Sequence, residues 1–167
     1  MAQPSQSPST GSPKSTASPQ PPFIPKSDLA YLAGLIDGEG CIRITRTRTH
    51  YNISIELEMC HLPTIIHVGK LLSRDPYPHR LKSKKKTHRP SYRISLSGHS
   101  AFTLLTRLLP HLVTKQAEAS LCIKYFRLKE KRRTSLKSSS DLLFSPEFIA
   151  ISEEFKQQCS AYKKETS

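Results

Sequence analysis

No stretch of this 167-residue sequence approaches the roughly 20 consecutive apolar residues that a bilayer-spanning helix needs, so a soluble, intracellular protein is expected. The four cysteines, Cys41, Cys60, Cys122 and Cys159, lie far apart and form no C-x-x-C pair. That spacing argues against a structural zinc site and a disulfide scaffold, and predicts reduced thiols. The seven histidines show no ligand spacing on a shared helix face. Cys60, His61 and His67 come closest to a cluster, and no zinc is expected there. Acidic residues are also scarce: 13 Asp and Glu stand against 26 Lys and Arg, giving a formal charge of +13. Such an excess attracts polyanions, nucleic acid first and anionic membrane second. A membrane-surface role lacks the cationic helix with a broad apolar face that it requires. Charge alone does not choose between DNA and RNA.

Residues 1–26 are mostly Pro, Ser, Gln and Thr, with Lys14 and Lys26 the only charged side chains. Such a segment buries too little apolar surface to offset its ordering entropy, and a disordered tail is expected. Transit peptides share the Ser-rich, acid-free character but are Arg-rich and amphipathic, which this stretch is not. No internal repeat is visible.

From Ser27 onward the pattern changes. Ser27 or Asp28 can cap a helix through Leu29, Leu32, Ala33, Leu35 and Ile36, ending at Gly38 and Gly40. Two segments of period two follow. Ile42 and Ile44 alternate with Cys41, Arg43 and Thr45; then Tyr51, Ile53, Ile55, Leu57 and Met59 alternate with Asn52, Ser54, Glu56 and Glu58. A helix is predicted over about 63–72, with Pro63 in its first turn and Pro76 beyond its end. Residues 77–97 suggest a second hairpin whose later arm is 91–97. Helices over about 99–109 and 114–131 are separated by Pro110, and a Ser-rich break at 134–140 precedes a last helix over about 146–162.

This order predicts an α+β domain, helix-hairpin-helix-hairpin-helices (αββαββα), with an antiparallel four-stranded sheet covered on one side. The expected organisation is a tail at 1–26, a core at 27–133, and a break and C-terminal helix at 134–167 that pack on or near the core. The open sheet face carries Arg43, Thr45, Thr47, Asn52, Ser54, Arg93 and Ser95. A polar, basic, twisted ribbon fits the major groove of DNA, where such side chains reach base edges.

The segment Leu32-Ala33-Gly34-Leu35-Ile36-Asp37-Gly38-Glu39-Gly40 resembles the signature of the LAGLIDADG homing endonucleases, departing from it at Gly38 and Glu39. Two further segments look like the same family: Glu58-Met59-Cys60-His61-Leu62-Pro63-Thr64-Ile65, and Leu109-Pro110-His111-Leu112-Val113-Thr114-Lys115-Gln116-Ala117. The resemblance spans roughly residues 27–130. It implies a single-motif enzyme working as a homodimer that hydrolyses double-stranded DNA with a divalent metal, Mg²⁺ being the expected ion.

In that resemblance Glu39 is the metal ligand, one methylene longer than the family's Asp. Lys115 matches a basic residue near the metal, its other reading being a surface lysine. His61 matches a polar, water-ordering residue, or is simply a strand-end histidine. Leu32, Ala33, Gly34, Leu35 and Asp37 are expected at the dimer seam, with Asp37 bonding to backbone rather than metal. The expected DNA contacts are Arg43, Thr45, Arg46, Thr47, Arg48, Asn52, Ser54, Arg80, Lys82, Lys84, Lys85, Lys86 and Arg93. The dense Lys84–Lys86 run suits phosphate, while Arg43 and Arg93 suit guanine. Glu56 and Glu58 share that face and either accept from cytosine amines or pair with neighbouring arginines. RNA binding, as in an intron maturase, and non-catalytic DNA regulation are the rival readings of the same scaffold.

Overall fold

The structure, a computed structural model, describes residues 23–47, 50–79, 90–135 and 145–165. Helix α1 (Lys26–Glu39) buries Leu29, Leu32, Ala33 and Ile36, a stripe with helical spacing. Ser27 and Asp28, expected as caps, lie inside its first turn: the N-cap is Pro25, whose carbonyl accepts from the Leu29 N–H at 3.0 Å. Asp28 still sits favourably at the positive end of the helix. At the far end Gly40 leaves the helix in extended conformation. A Cβ there would stand 2.7 Å from the Ile36 backbone, so only glycine allows the helix to pass straight into a strand.

Strands β1 (Gly40–Arg46) and β2 (Tyr51–Met59) form the first hairpin, with Arg43 opposite Ser54 and Ile44 opposite Ile53. Helix α2 (Leu62–Leu72) carries Pro63 in its first turn and ends at Ser73 in the left-handed region, φ 51°. The second hairpin is lopsided. Its first arm β3 (Tyr77–His79) is three residues long, against seven in β4 (Ser91–Ser97). Then come α3 (Gly98–Leu108), a 3-10 turn (Leu109–His111), α4 (Gln116–Ser135) and α5 (Pro146–Glu165). Helix α4 thus runs two residues into the Ser-rich break expected at 134–140, the rest of which lies outside the described residues.

The sheet order is β1-β2-β4-β3, every pairing antiparallel, so the two hairpins meet through β2 and β4 at the centre. One face presents Ile42, Ile44, Ile53, Ile55, Leu57, Ile94 and Leu96, all buried beneath the helices. Each such side chain contributes about 1.5–3 kcal/mol. That burial, rather than intrinsic helix propensity, holds the helices in place. The opposite face is the polar one.

Helix α5 is tied to the body by apolar and polar contacts. Phe148 and Cys159 are buried in the common core. The Tyr51 hydroxyl donates to Glu153 at 2.5 Å, and Tyr125 and Ser152 share a hydrogen bond of 3.1 Å in the interior. Lys129 of α4 is also buried there, its ammonium donating to the Tyr51 carbonyl at 2.9 Å. Burial pushes that ammonium below the usual lysine range. No helix among the described residues is long and apolar enough to cross a membrane.

Candidate active site and nucleic-acid interface

Helix α1 has two faces of different character. Leu32 and Ala33, expected at a dimer seam, are 1% and 0% exposed and pack wholly inside this chain's own core. This corrects the sequence reading: helical spacing turns both inward with Leu29 and Ile36. The outward face carries Ala30, Tyr31, Gly34 and Gly38, with Leu35 half-buried at its border. A Cβ added at Gly34 or Gly38 meets nothing within 4 Å. Neither glycine is therefore required by the packing of the single chain.

Asp37 is also placed otherwise than the seam expectation has it. Its carboxylate accepts from the backbone N–H of Val113 at 2.7 Å and of Lys115 at 2.9 Å, and from the Thr114 hydroxyl at 3.0 Å. It bonds to backbone, as expected of it, but to a loop 76 residues away in the same chain. Partial burial pushes this carboxyl up; the hydrogen bonds from Val113, Lys115 and Thr114 outweigh it and hold the group below the usual aspartate range. The Lys115 ammonium in turn donates to the Asp37 carbonyl. The lysine is thereby anchored two residues before Glu39.

Glu39 is the last residue of α1 and is exposed. Among the described residues its carboxylate has no hydrogen bond or ion pair. His61 lies beyond the end of β2, where the ladder begins at Gly40 opposite Leu57, and so at the same end of the sheet as Glu39. Its Nδ1 bonds to the Thr64 hydroxyl at 2.7 Å rather than to Glu39 or Lys115. Among the described residues no three His, Cys, Asp or Glu side chains form a group able to hold a metal. The Glu39 carboxylate is a hard oxygen donor of the kind that Mg²⁺ and Ca²⁺ favour.

The polar sheet face holds Arg43 and Thr45 on β1, Asn52, Ser54, Glu56 and Glu58 on β2, and Arg93 and Ser95 on β4, in cross-strand register. Ser54 is only 4% exposed, too sunken beside its pair partner Arg43 to reach a ligand, which removes it from the expected contacts. Arg46 has the opposite parity. Its guanidinium lies over the Tyr51 ring, 5.7 Å from the centroid, on the helix side of the sheet. Thr47 is exposed in the turn after β1, its N–H donating to the His50 carbonyl. Arg48, Arg80, Lys82, Lys84, Lys85 and Lys86 lie outside the described residues. Of the alternatives open for Glu56 and Glu58, pairing with arginines is what occurs. Arg43 meets Glu56 at 2.5 Å, and Arg93 meets Glu58 at 2.7 Å and Glu56 at 3.4 Å.

No protein-family model matches the sequence, and no curated protein does. Among solved structures, the homing endonuclease I-CvuI in complex with the I-CreI target, in the presence of Mg with the DNA not cleaved, superposes with a TM-score of 0.62 at 18% identity. The match covers 82% of this chain and 82% of that one. I-CvuI in complex with its own target in the presence of Ca gives 0.60 at 18% identity, over 81% and 82%. The chain has the fold of the LAGLIDADG homing endonucleases.

Proposed function

We propose that this protein is a site-specific DNA endonuclease, metal-dependent and homodimeric, that hydrolyses both strands of a long, nearly palindromic duplex site. The observation that carries the reading is on α1, where an exposed Glu39 carboxylate, unpaired among the described residues, ends the same helix whose outer face carries Ala30, Tyr31, Gly34 and Gly38. The small residues Ala30, Gly34 and Gly38 allow a second copy of the helix to approach more closely there than the usual 8–10 Å or so. Pairing about a two-fold axis would bring Glu39 and its twin together.

Two adjacent carboxylates repel unless a cation lies between them, and their oxygen donors suit Mg²⁺. When bound, such an ion supplies an activated water and neutralises charge at the scissile phosphate. In this reading Lys115, anchored at the same helix end, steadies negative charge on the reacting phosphate. His61 belongs to the polar groups that order water around it. The unit that does this is the core at 27–133, with α5 as its buttress.

The polar sheet face would lie in the major groove, with Arg43, Thr45, Asn52 and Arg93 toward base edges and Thr47 at the hairpin tip. Arg48, Arg80, Lys82, Lys84, Lys85 and Lys86 complete the proposed DNA contacts, mainly to phosphate. The family resemblance in the motif and the DNA complexes of structures sharing the fold support duplex DNA as partner. The test is to incubate the purified protein with a randomised duplex library, with Mg²⁺ and with EDTA, and to sequence the ends. Metal-dependent double-strand breaks at one nearly palindromic site, abolished by Glu39→Gln, are expected. Salt-sensitive RNA binding without any cleavage would overturn the endonuclease in favour of a maturase.

A further inference from the structure

The middle of the polar sheet face is not simply basic. Glu56, on the central strand β2, stands between two arginines from the strands on either side, Arg43 at 2.5 Å and Arg93 at 3.4 Å. Glu58 holds Arg93 a second time, through Nε at 3.2 Å and Nη2 at 2.7 Å, and itself accepts from the Ser91 hydroxyl at 2.7 Å. The Glu58 hydrogen bond holds the Arg93 guanidinium above its ordinary range, with the nearby Glu56 charge adding to it. Glu56 lies lowest of the four, 17% exposed against 23% for Arg93, 28% for Glu58 and 40% for Arg43.

A surface that only grips phosphate gains nothing from carboxylates, which repel phosphate and cancel the arginine charge. Two acids and two arginines leave the centre of the sheet with no net charge. What the acids add is order. An arginine on a flexible stem loses rotamer freedom when it binds, and one already fixed by a carboxylate has lost much of it beforehand. A fixed, planar fork is what bidentate contact with a guanine edge requires.

Resting on the proposed DNA-binding function, we infer that Glu56 and Glu58 are specificity-determining residues. They fix Arg43 and Arg93 to read guanines in the groove and disfavour duplexes that offer only phosphate. Affinity for arbitrary DNA is given up at the centre of the sheet in exchange for discrimination.

The test is duplex selection in EDTA, so that no strand is cut, with the full chain and with Glu56→Gln. Dissociation constants are then measured for the enriched duplex and a scrambled one at two salt concentrations. Glu56→Gln is expected to tighten the scrambled duplex and to lower the enriched-to-scrambled ratio by roughly five- to a hundredfold, with guanine preference lost at the affected positions. Equal tightening of both duplexes would mean that Glu56 acts by charge alone and would overturn the inference, as would no change in the ratio. Glu58→Gln is expected to relax a position read by Arg93. It decides the matter should circular dichroism show that Glu56→Gln is unfolded. A parent chain that enriches no duplex at all would instead overturn the DNA-binding function itself.

Discussion

Asp37 and Lys115 hold each other by two bonds, Lys115 donating in both. The Asp37 carboxylate accepts the Lys115 N–H at 2.9 Å, while the Lys115 ammonium donates to the Asp37 carbonyl. The end of α1, where Glu39 sits, is thereby locked to the loop that starts α4. The motif's first acid serves the placement of the lysine, and its second is left to face outward.

Asp37→Asn should loosen that lock. The loop N–H groups would lose a charged acceptor, which in this partly exposed setting costs about 1 kcal/mol. The carboxyl is held below its ordinary value of 3.8 in the folded chain, so its contribution is complete above that value and disappears as pH falls through the lower folded one. Urea titrations should therefore separate Asp37→Asn from the parent chain at pH 7, with the separation shrinking progressively as pH falls below 3.8.

Gly34→Ala gives opposite signs for a lone chain and for a dimer. The added methyl meets nothing in the single chain, where replacing a helical glycine stabilises by roughly 0.5–1 kcal/mol. If α1 pairs with its twin, the same methyl separates the helices and weakens association. Sedimentation equilibrium should show a shift toward monomer with the monomer's melting temperature kept or raised; an unchanged dimer would place the interface elsewhere. Leu32→Ala, by contrast, should cost about 2–5 kcal/mol of folding stability, because Leu32 is 1% exposed in the core.

Lys115→Met should leave DNA binding nearly intact and slow strand cleavage by about a hundred- to a thousandfold, the usual loss when one charge-stabilising donor is removed. Single-turnover cleavage with saturating protein reads this directly. A comparable loss in binding would mean that the lysine grips phosphate in the ground state instead.

Lys129→Met tests the buried ammonium. Burial lowers its pKa below 10.5, so the folded chain carries a penalty at neutral pH that is relieved as pH rises through the folded value. Removing the charge loses the bond to the Tyr51 carbonyl and the penalty together. The net change at pH 7 should lie within about 1 kcal/mol in either direction. The parent's gain in stability toward alkaline pH should disappear, as thermal melts at pH 7 and 10 would show.

Much of this was legible in the sequence because it rests on short-range periodicity. The strict alternation from Tyr51 to Met59 determined both that segment's strand character and which side chains face the core. Pro63, Pro76 and Pro110 marked helix limits through their fixed geometry and missing N–H. The nine-residue motif pointed to the fold by resemblance, and to Glu39 as the acid at the end of its helix.

Partnerships between distant residues were decided only by the tertiary structure. Asp37 with the loop at 113–115, Tyr51 with Glu153 and Lys129 with Tyr51 span separations that no local pattern encodes. The motif told which residues are small or apolar but not how the helix is rotated. Packing against the sheet turned Ala33 inward and Gly34 outward, because apolar burial outweighs any preference of a methyl-sized side chain. Likewise the sequence put Arg43, Glu56, Glu58 and Arg93 on one face, while only the β1-β2-β4 order made Glu56 the neighbour of both arginines. Strand order follows from long-range closure of the core, and the sequence of a single strand does not contain it.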